Sequence, residues 1–368
     1  MATTRTIATR SRVLVVDDSA VARKLICDGL DAKVGIEVVG TAPDPYVARN
    51  KIVRLKPDVV ILDVELPRMD GITFLKRLQR FHPIPVIICS AFTQTGSARA
   101  LDALAAGAVE VVEKAGSKAD VPHMIDRLAA RIRAIREHGV HVAPDTADVV
   151  NVTEPLGDNR RRHGLVAFGA STGGTQALHA IFSALPPNMP GCVIVQHLPR
   201  QFTGSFAERL NAGSAMTVRE ARDGDVLKEG LALLAPGDEH MVVDRCPSGY
   251  RVRLHQGEPE HHQRPAVDVL FRSVATAVGS AGLGILLTGM GADGAAGLLA
   301  MRRAGAATIA QDEASCVVFG MPRVAIQMDA AQQVMSLSEM PVRIRRWAEQ
   351  ATGRIGTQRV EASSFQRD

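Results

Sequence analysis

A chain of 368 residues with 43 Lys and Arg against 39 Asp and Glu has room for two or three domains. Its near-balanced, dispersed charge gives nucleic acid no claim as the main partner. No apolar run reaches membrane-spanning length and no secretory apolar region is present, which argues against direct membrane insertion. The five cysteines, Cys27, Cys89, Cys192, Cys246 and Cys316, form no CxxC pair and lie mostly in apolar runs, as expected of reduced core thiols in a cytoplasmic protein. Residues 1–11, Thr- and Arg-rich and free of acids, read as a disordered tail, and 353–368 as a flexible one.

From residue 12 the chain alternates. Val13 to Val16 reads as a strand ending in Asp17 and Asp18, and Val21, Leu25, Ile26 and Leu30 mark one face of the helix that follows. Glu37 to Ala42 is a strand, Pro45 to Leu55 a helix, and Val59 to Leu62 a strand ending in Asp63. Gly71 to Arg80 is a helix, Pro85 to Ser90 a strand, Ser97 to Ala106 a helix. Val109 to Glu113 is a strand ending in Lys114, before a helix from Val121 to about Arg136. This order predicts a doubly wound parallel sheet over 12–138.

Asp17, Asp18 and Asp63 thus fall at the carboxyl ends of two strands, with Ser90 and Lys114 ending two more. Parallel strands bring these ends to one edge of the sheet. Three clustered carboxylates repel unless a hard cation lies among them, and oxygen ligands suit Mg²⁺. One carboxylate can then attack a phosphoryl donor, with Lys114 and the Ser90 hydroxyl holding the oxygens that gain charge. Each residue alone could instead cap the next helix; so many strand ends together favour a site.

Asp17-Asp18, Asp63 followed by Pro67-Arg68-Met69-Asp70-Gly71, Ser90-Ala91 and Lys114 resemble the receiver domain of two-component response regulators. The resemblance implies Asp63 as phosphoacceptor, Mg²⁺ held at Asp17, Asp18 and Asp63, phosphoryl contacts from Ser90 and Lys114, and a histidine kinase as donor. Two positions depart from the family: Val111 stands where receivers usually carry an aromatic switch, and Ala115 where a cis proline usually follows the lysine. A cis bond before a non-proline costs about 2.5–4 kcal/mol, so the loop after Lys114 is expected to be trans and reshaped, and the usual relay with it.

Residues 139–162 hold two prolines, several Asp and Asn and no sustained period, and read as a linker; Arg160-Arg161-Arg162 reads as its solvated end. Beyond it, Leu165 to Phe168 is a buried strand that runs into Gly169-Ala170-Ser171-Thr172-Gly173-Gly174 and a helix with Leu178, Ile181 and Phe182 on one face. Gly191 to Gln196 is a strand ending in His197. Ala232 to Gly237 ends another, with Val242-Val243 and Tyr250 to Leu254 as a hairpin beside it. Asp268 to Val278 is a helix, and Gly284 to Thr288 a strand that breaks into Gly289-Met290-Gly291-Ala292-Asp293-Gly294. A helix from Ala295 to Arg303 and a strand from Ala307 to Ala310 follow. The pattern predicts a second doubly wound α/β domain over 163–352.

Ser171 lies between a strand's carboxyl end and a helix's amino end, where backbone N–H groups favour negative charge. It reads as a nucleophile, against two rivals: a phosphate-cradling loop and a helix-capping serine. An alcohol needs a base within hydrogen-bond reach; His197 can supply it, and Asp293 can orient the imidazole. GxSxG in a Gly-rich chain is weak by itself, and the order Ser…His…Asp differs from that of α/β-hydrolases. His179, His240, His255, His261 and His262 compete with His197. The adjacent His261 and His262 point apart and have no suitably spaced metal ligands.

The glycine turn, Gln196-His197-Leu198-Pro199 with Phe202-Thr203, Ala235-Pro236-Gly237, Arg264 to Phe271 and Leu287 to Gly294 resemble the catalytic domain of chemotaxis protein-glutamate methylesterases, in order and over nearly the whole second domain. The resemblance implies Ser171 as nucleophile, His197 as base and Asp293 as its orienting acid, with Thr172 and the backbone at Met290 shaping the oxyanion site and no cofactor in this domain. It implies hydrolysis of glutamate methyl esters, and deamidation of glutamines, on chemoreceptors. An esterase or amidase acting on another protein is the alternative. A transcriptional regulator would need a basic helix-turn-helix, and a dinucleotide site GxGxxG; neither is present. The unphosphorylated receiver is expected to cover a shallow crevice around Ser171, and phosphorylation of Asp63 to loosen it.

Overall fold

A computed structural model of the chain describes residues 10–90, 94–138, 149–157 and 164–350; residues 1–9 of the expected amino-terminal tail, all of the carboxyl-terminal one and Arg160 to Arg162 lie outside them, whereas Ser11, also read as tail, begins the first strand. The first domain alternates β1 (Ser11–Val16), α1 (Ala20–Asp31), β2 (Ile36–Ala42), α2 (Pro45–Leu55), β3 (Val59–Leu62), α3 (Gly71–Phe81), β4 (Val86–Ser90), α4 (Gln94–Ala105), β5 (Glu110–Glu113) and α5 (Val121–His138). Its five strands run parallel in the order β2-β1-β3-β4-β5. Strands covered on both faces must be apolar throughout, and all residues of β3 are buried. In α1 only Ile26 and Leu30 are buried, whereas Val21 and Leu25 of the expected apolar face are exposed. The helix is rotated so that its Ile26/Leu30 side, together with Gly29 against Ile125, meets α5.

The second domain comprises β6 (Leu165–Ala170), α6 (Gly174–Ala184), β7 (Gly191–Gln196), α7 (Arg200–Gly213), β8 (Thr217–Glu220), β9 (Leu231–Leu234), β10 (His240–Cys246), β11 (Gly249–His255), α8 (Val267–Ala277), β12 (Gly282–Leu286), α9 (Ala295–Arg303), β13 (Ala307–Gln311), α10 (Met321–Gln327), β14 (Gln333–Met335) and α11 (Met340–Glu349). Seven parallel strands form one sheet, ordered β14-β13-β12-β6-β7-β9-β8, and β10 and β11 pair antiparallel as a separate hairpin. The central β6 is buried along its whole length. Fold and class are those the sequence predicts: two doubly wound α/β domains.

Within the span read as linker, residues 149–157 lie along this second domain. Val152 N–H donates to the Ala184 carbonyl at 3.0 Å, Leu156 exchanges hydrogen bonds with the Asn188 side chain, and Leu156 itself is buried. All five cysteines are free thiols, with Cys89, Cys192 and Cys316 buried. No helix among the described residues is long and apolar enough to cross a membrane.

The helix pair α8 and α9 decides where Asp293, between β12 and α9, can stand. The two pack closely at Gly297, where an added Cβ would meet the Phe271 Cβ at 2.7 Å and the Asp268 backbone at 3.0 Å. Overpacking of this kind costs about 1–3 kcal/mol. Gly297→Ala is therefore expected to lower the urea midpoint without changing the m-value; an unchanged midpoint would show that α9 shifts away freely.

Candidate active site and phosphoacceptor site

Parallel pairing sets the addresses. In register, Ala170 of β6 faces Gln196 of β7, and Leu286 of β12 faces Gly169 of β6, so Ser171 and His197 follow neighbouring strand ends and Asp293 comes from the loop after the strand on the other side. Ser171 N–H donates to the Thr288 carbonyl at 3.0 Å, and His197 N–H to the Ala170 carbonyl at 3.1 Å. The turn is tight. Gly173 adopts φ 79° as the N-cap of α6, a region open to glycine without strain, and a Cβ there would lie 2.4 Å from that of Val317. Because Gly173 takes the cap position and no side chain bonds the helix end, Ser171 is not the cap of α6.

His197 Nε2 lies 2.8 Å from Asp293 Oδ2, which leaves Nδ1 as the ring nitrogen available to a serine. Ser171 and His197 line one crevice. Asp293 is almost fully buried and accepts the N–H groups of Val267 (2.8 Å) and Asp268 (2.8 Å) at the amino end of α8. Burial opposes its charge, yet the hydrogen bond and charge of His197 and the two amides outweigh it and hold the carboxyl below the usual range. Asp293 thus both caps a helix and faces the imidazole; it caps α8 rather than α9, whose N-cap is Gly294.

Three of the rival histidines have other surroundings. His240 is buried, its Nδ1 accepting from Ala266 N–H and its Nε2 donating to the Glu258 carbonyl, so it fastens a loop. His179 is exposed on α6. His261 differs from the expectation: the chain folds back so that Glu260, His261 and Asp268 bring ligand atoms within 4.8 Å of one another. There Arg272 already pairs with Glu260 and reaches Asp268 at 4.0 Å. Asp268, whose carboxyl burial pushes up, accepts Gly297 N–H at 2.6 Å and thereby ties α8 to α9 behind Asp293.

The sequence led to a receiver over Ser171 but not to the side chains by which it stands there. Thr172 Oγ1 donates to Glu110 of β5 at 2.6 Å, and Arg131 of α5 lies 3.4 Å from the same carboxylate. Gln176 donates to the Leu104 carbonyl, and Arg209 pairs with Asp102 at 2.8 Å. Leu104, Glu110 and Val111 of the first domain wall the crevice with Ser171, Thr172 and His197, leaving about 20 Å³, room for about one water. Met290 directs its sulfur toward Arg131 at 3.8 Å, and the Gly289 before it stands against Ser171.

At the first domain's strand ends, Asp17, Asp18 and Asp63 bring carboxylate oxygens within 4.8 Å of one another. Asp17 and Asp63 are buried and Asp18 is exposed. Lys114 Nζ bridges Asp63 (2.5 Å) and Asp17 (2.8 Å). Burial raises the Asp63 carboxyl although Lys114 counteracts it; burial likewise works against the Lys114 charge, but hydrogen bonds to Asp17 and Asp63 push that group up. Helix capping falls to Ser19, Asp44 and Asp70, so Asp17, Asp18 and Asp63 are left to their cluster. The donors are hard oxygens converging from two strands, a set that fits Mg²⁺. Ser90 is buried at the end of β4. The Lys114–Ala115 bond is trans, since among the described residues only Arg264–Pro265 is cis, and Val111 is buried facing the crevice.

Fold and site define a receiver-like α/β domain set against an α/β domain that carries a Ser–His–Asp crevice. Residues 13–126 match the response regulator receiver domain and residues 166–344 the CheB methylesterase family. The protein-glutamate methylesterase/protein-glutamine glutaminase 2 of Syntrophus aciditrophicus is 48% identical over 89% of this chain and 96% of its own length. A similarly named protein of Anaeromyxobacter dehalogenans is 48% identical over 94% and 97%. The solved CheB methylesterase catalytic domain of Thermotoga maritima is 37% identical, covers 50% of this chain and 97% of its own, and superposes with a TM-score of 0.49. The chain belongs to the CheB methylesterase family, with an amino-terminal receiver.

The Asp293 carboxyl, lowered in the fold, stabilises it fully above the ordinary carboxylate value and loses that contribution as pH falls through its folded value. Asp268, raised by burial, acts with the opposite sign. Asp293→Asn removes the first contribution, so the wild-type urea midpoint should fall more steeply than the variant's below about pH 4. Parallel curves would remove the carboxylate from the account.

Proposed function

We propose that this protein is a cytoplasmic, phosphorylation-regulated serine hydrolase. It demethylates glutamate methyl esters and deamidates glutamines on methyl-accepting chemotaxis receptors, as the names of its relatives suggest. The observation that carries the reading is that Ser171 and His197 follow neighbouring strand ends and line one crevice, with Asp293 behind the imidazole at 2.8 Å. Ser171 adds to the acyl carbon as His197 accepts its proton; His197 then protonates departing methanol or ammonia, and water releases the glutamate. Asp293 fixes the tautomer and stabilises the imidazolium. Thr172 and the backbone at Met290 support the oxyanion, a contribution of about 3–4 kcal/mol per donor in such sites. No cofactor enters this step.

Asp63 takes the phosphoryl group from a histidine kinase, with Ser90 and Lys114 on its oxygens. Asp17, Asp18 and Asp63 would hold Mg²⁺, which would neutralise the charge on the transferring phosphoryl group. A crevice of about 20 Å³ cannot admit a glutamyl ester, so the unphosphorylated receiver restrains the enzyme, and Glu110 against Thr172 is its nearest polar contact. We take 12–138 as receiver, 139–162 as linker and 163–352 as the catalytic domain.

Methanol release from methylated receptor membranes tests the chemistry: Ser171→Ala should lower it on the order of 10⁴-fold or more, and Asp63→Asn should leave the basal rate but abolish stimulation by a phosphodonor. For the restraint, Glu110→Ala and the fragment from about residue 160 onward should both exceed the unphosphorylated full chain. If neither does, the receiver does not gate the crevice.

A further inference from the structure

The receiver carries a groove that neither acyl nor phosphoryl chemistry uses. It runs between α2 and α3, over a buried floor of Ile52, Phe74 and Leu78. On its rim Tyr46, Val53 and Phe81 are 51%, 64% and 74% exposed. The cavity is about 460 Å³, within the ~300–1,000 Å³ range of sites that enclose a ligand. Single exposed apolar residues need no explanation, but three gathered on one groove mark an interaction surface.

Charge indicates the occupant. α2 and α3 carry six basic residues, Arg49, Lys51, Arg54, Lys76, Arg77 and Arg80, and no acidic one, in a chain whose charges otherwise nearly cancel. Lys51 bonds the Thr41 carbonyl at 2.6 Å and Arg80 stacks on the Phe81 ring at 5.2 Å. Arg49 and Arg77, at the groove itself, form no ion pair with any described residue. A second copy of the same face would oppose cation to cation, which disfavours self-association. The groove also stays accessible in the docked state, because the receiver meets the second domain through α4, β5 and α5.

We infer that the α2–α3 groove is a docking site for an acidic amphipathic helix of a partner protein. Its apolar side chains rest on Ile52, Phe74 and Leu78, and its carboxylates pair with Arg49 and Arg77. Recognition of this kind reads residues at i, i+3, i+4 and i+7, and a helix of about three turns matches the ~16 Å length of α2 or α3. The inference does not depend on the hydrolase reading.

The probe is a fluorescein-labelled synthetic helix of about 18 residues, leucines on one face and glutamates on its flanks, long enough to hold helical structure. Fluorescence anisotropy with the full chain should show saturable binding that weakens with salt. Arg49→Glu and Arg77→Glu should each weaken it about tenfold or more, and so should Phe81→Asp, with thermal unfolding of each variant confirming an intact receiver. A peptide of the same composition with scattered leucines should bind at least about tenfold more weakly. Equal binding of the scattered peptide, or unchanged affinity in both arginine variants, would overturn the inference. So would a concentration-dependent dimer lost in Phe81→Asp, or binding to phosphatidylglycerol vesicles, without peptide binding.

Discussion

A carboxylate buried away from water persists as a charge only where donors converge on it, and Asp293 has three: the His197 imidazole and the N–H groups of Val267 and Asp268. That requirement fixes the amino end of α8 against Asp293, behind the His197 ring. It also explains the close α8–α9 contact at Gly297 and the tie from Asp268 to Gly297. The imidazole is then held by Asp293, and the residue that carries it is anchored by its backbone N–H on the Ala170 carbonyl. Such support is what keeps a catalytic side chain within a fraction of an ångström of a productive position.

The crevice and the acidic cluster both exploit the carboxyl edge of a parallel sheet, but they treat charge differently. In the receiver, three carboxylates meet one lysine, an imbalance that leaves the cluster receptive to a divalent cation. In the second domain Asp293 is satisfied by two neutral amides and one histidine. The cluster at Glu260, His261 and Asp268 differs again, because Arg272 supplies its counter-charge from within the fold.

Much of this was legible before any coordinates. Buried parallel strands are apolar runs, so β1, β3, β6 and β7 declare themselves, and with them the residues just past their ends: Asp17, Asp63, Ser171 and His197. The strand order that makes β12, β6 and β7 neighbours was not legible, since parallel partners are far apart in sequence; the family resemblance supplied roles for Ser171, His197 and Asp293 but not that order. Val21 and Leu25 fit a helical apolar face yet lie in solvent, because a periodic pattern fixes a stripe only to within a turn's width. Least legible was the contact of Glu110 with Thr172. It depends on how two separately folded domains dock, which no local pattern encodes.

That contact changes how the receiver's departures from its family can be understood. An aromatic switch reports phosphorylation by changing rotamer; here Val111, at that position, already faces the crevice. Glu110, one residue earlier, holds Thr172, and Lys114, just past the other end of the same short strand, holds Asp63. At about 3.3 Å per residue, the lysine and the glutamate are only some 13 Å apart along one extended segment. On the proposed reading, a phosphoryl group that draws Lys114 needs no long relay, because the strand it would shift is the one that walls the crevice. The physical demand on this receiver is thus smaller than on one that signals to a distant surface, and a side chain as stiff as valine suits a wall better than a switch.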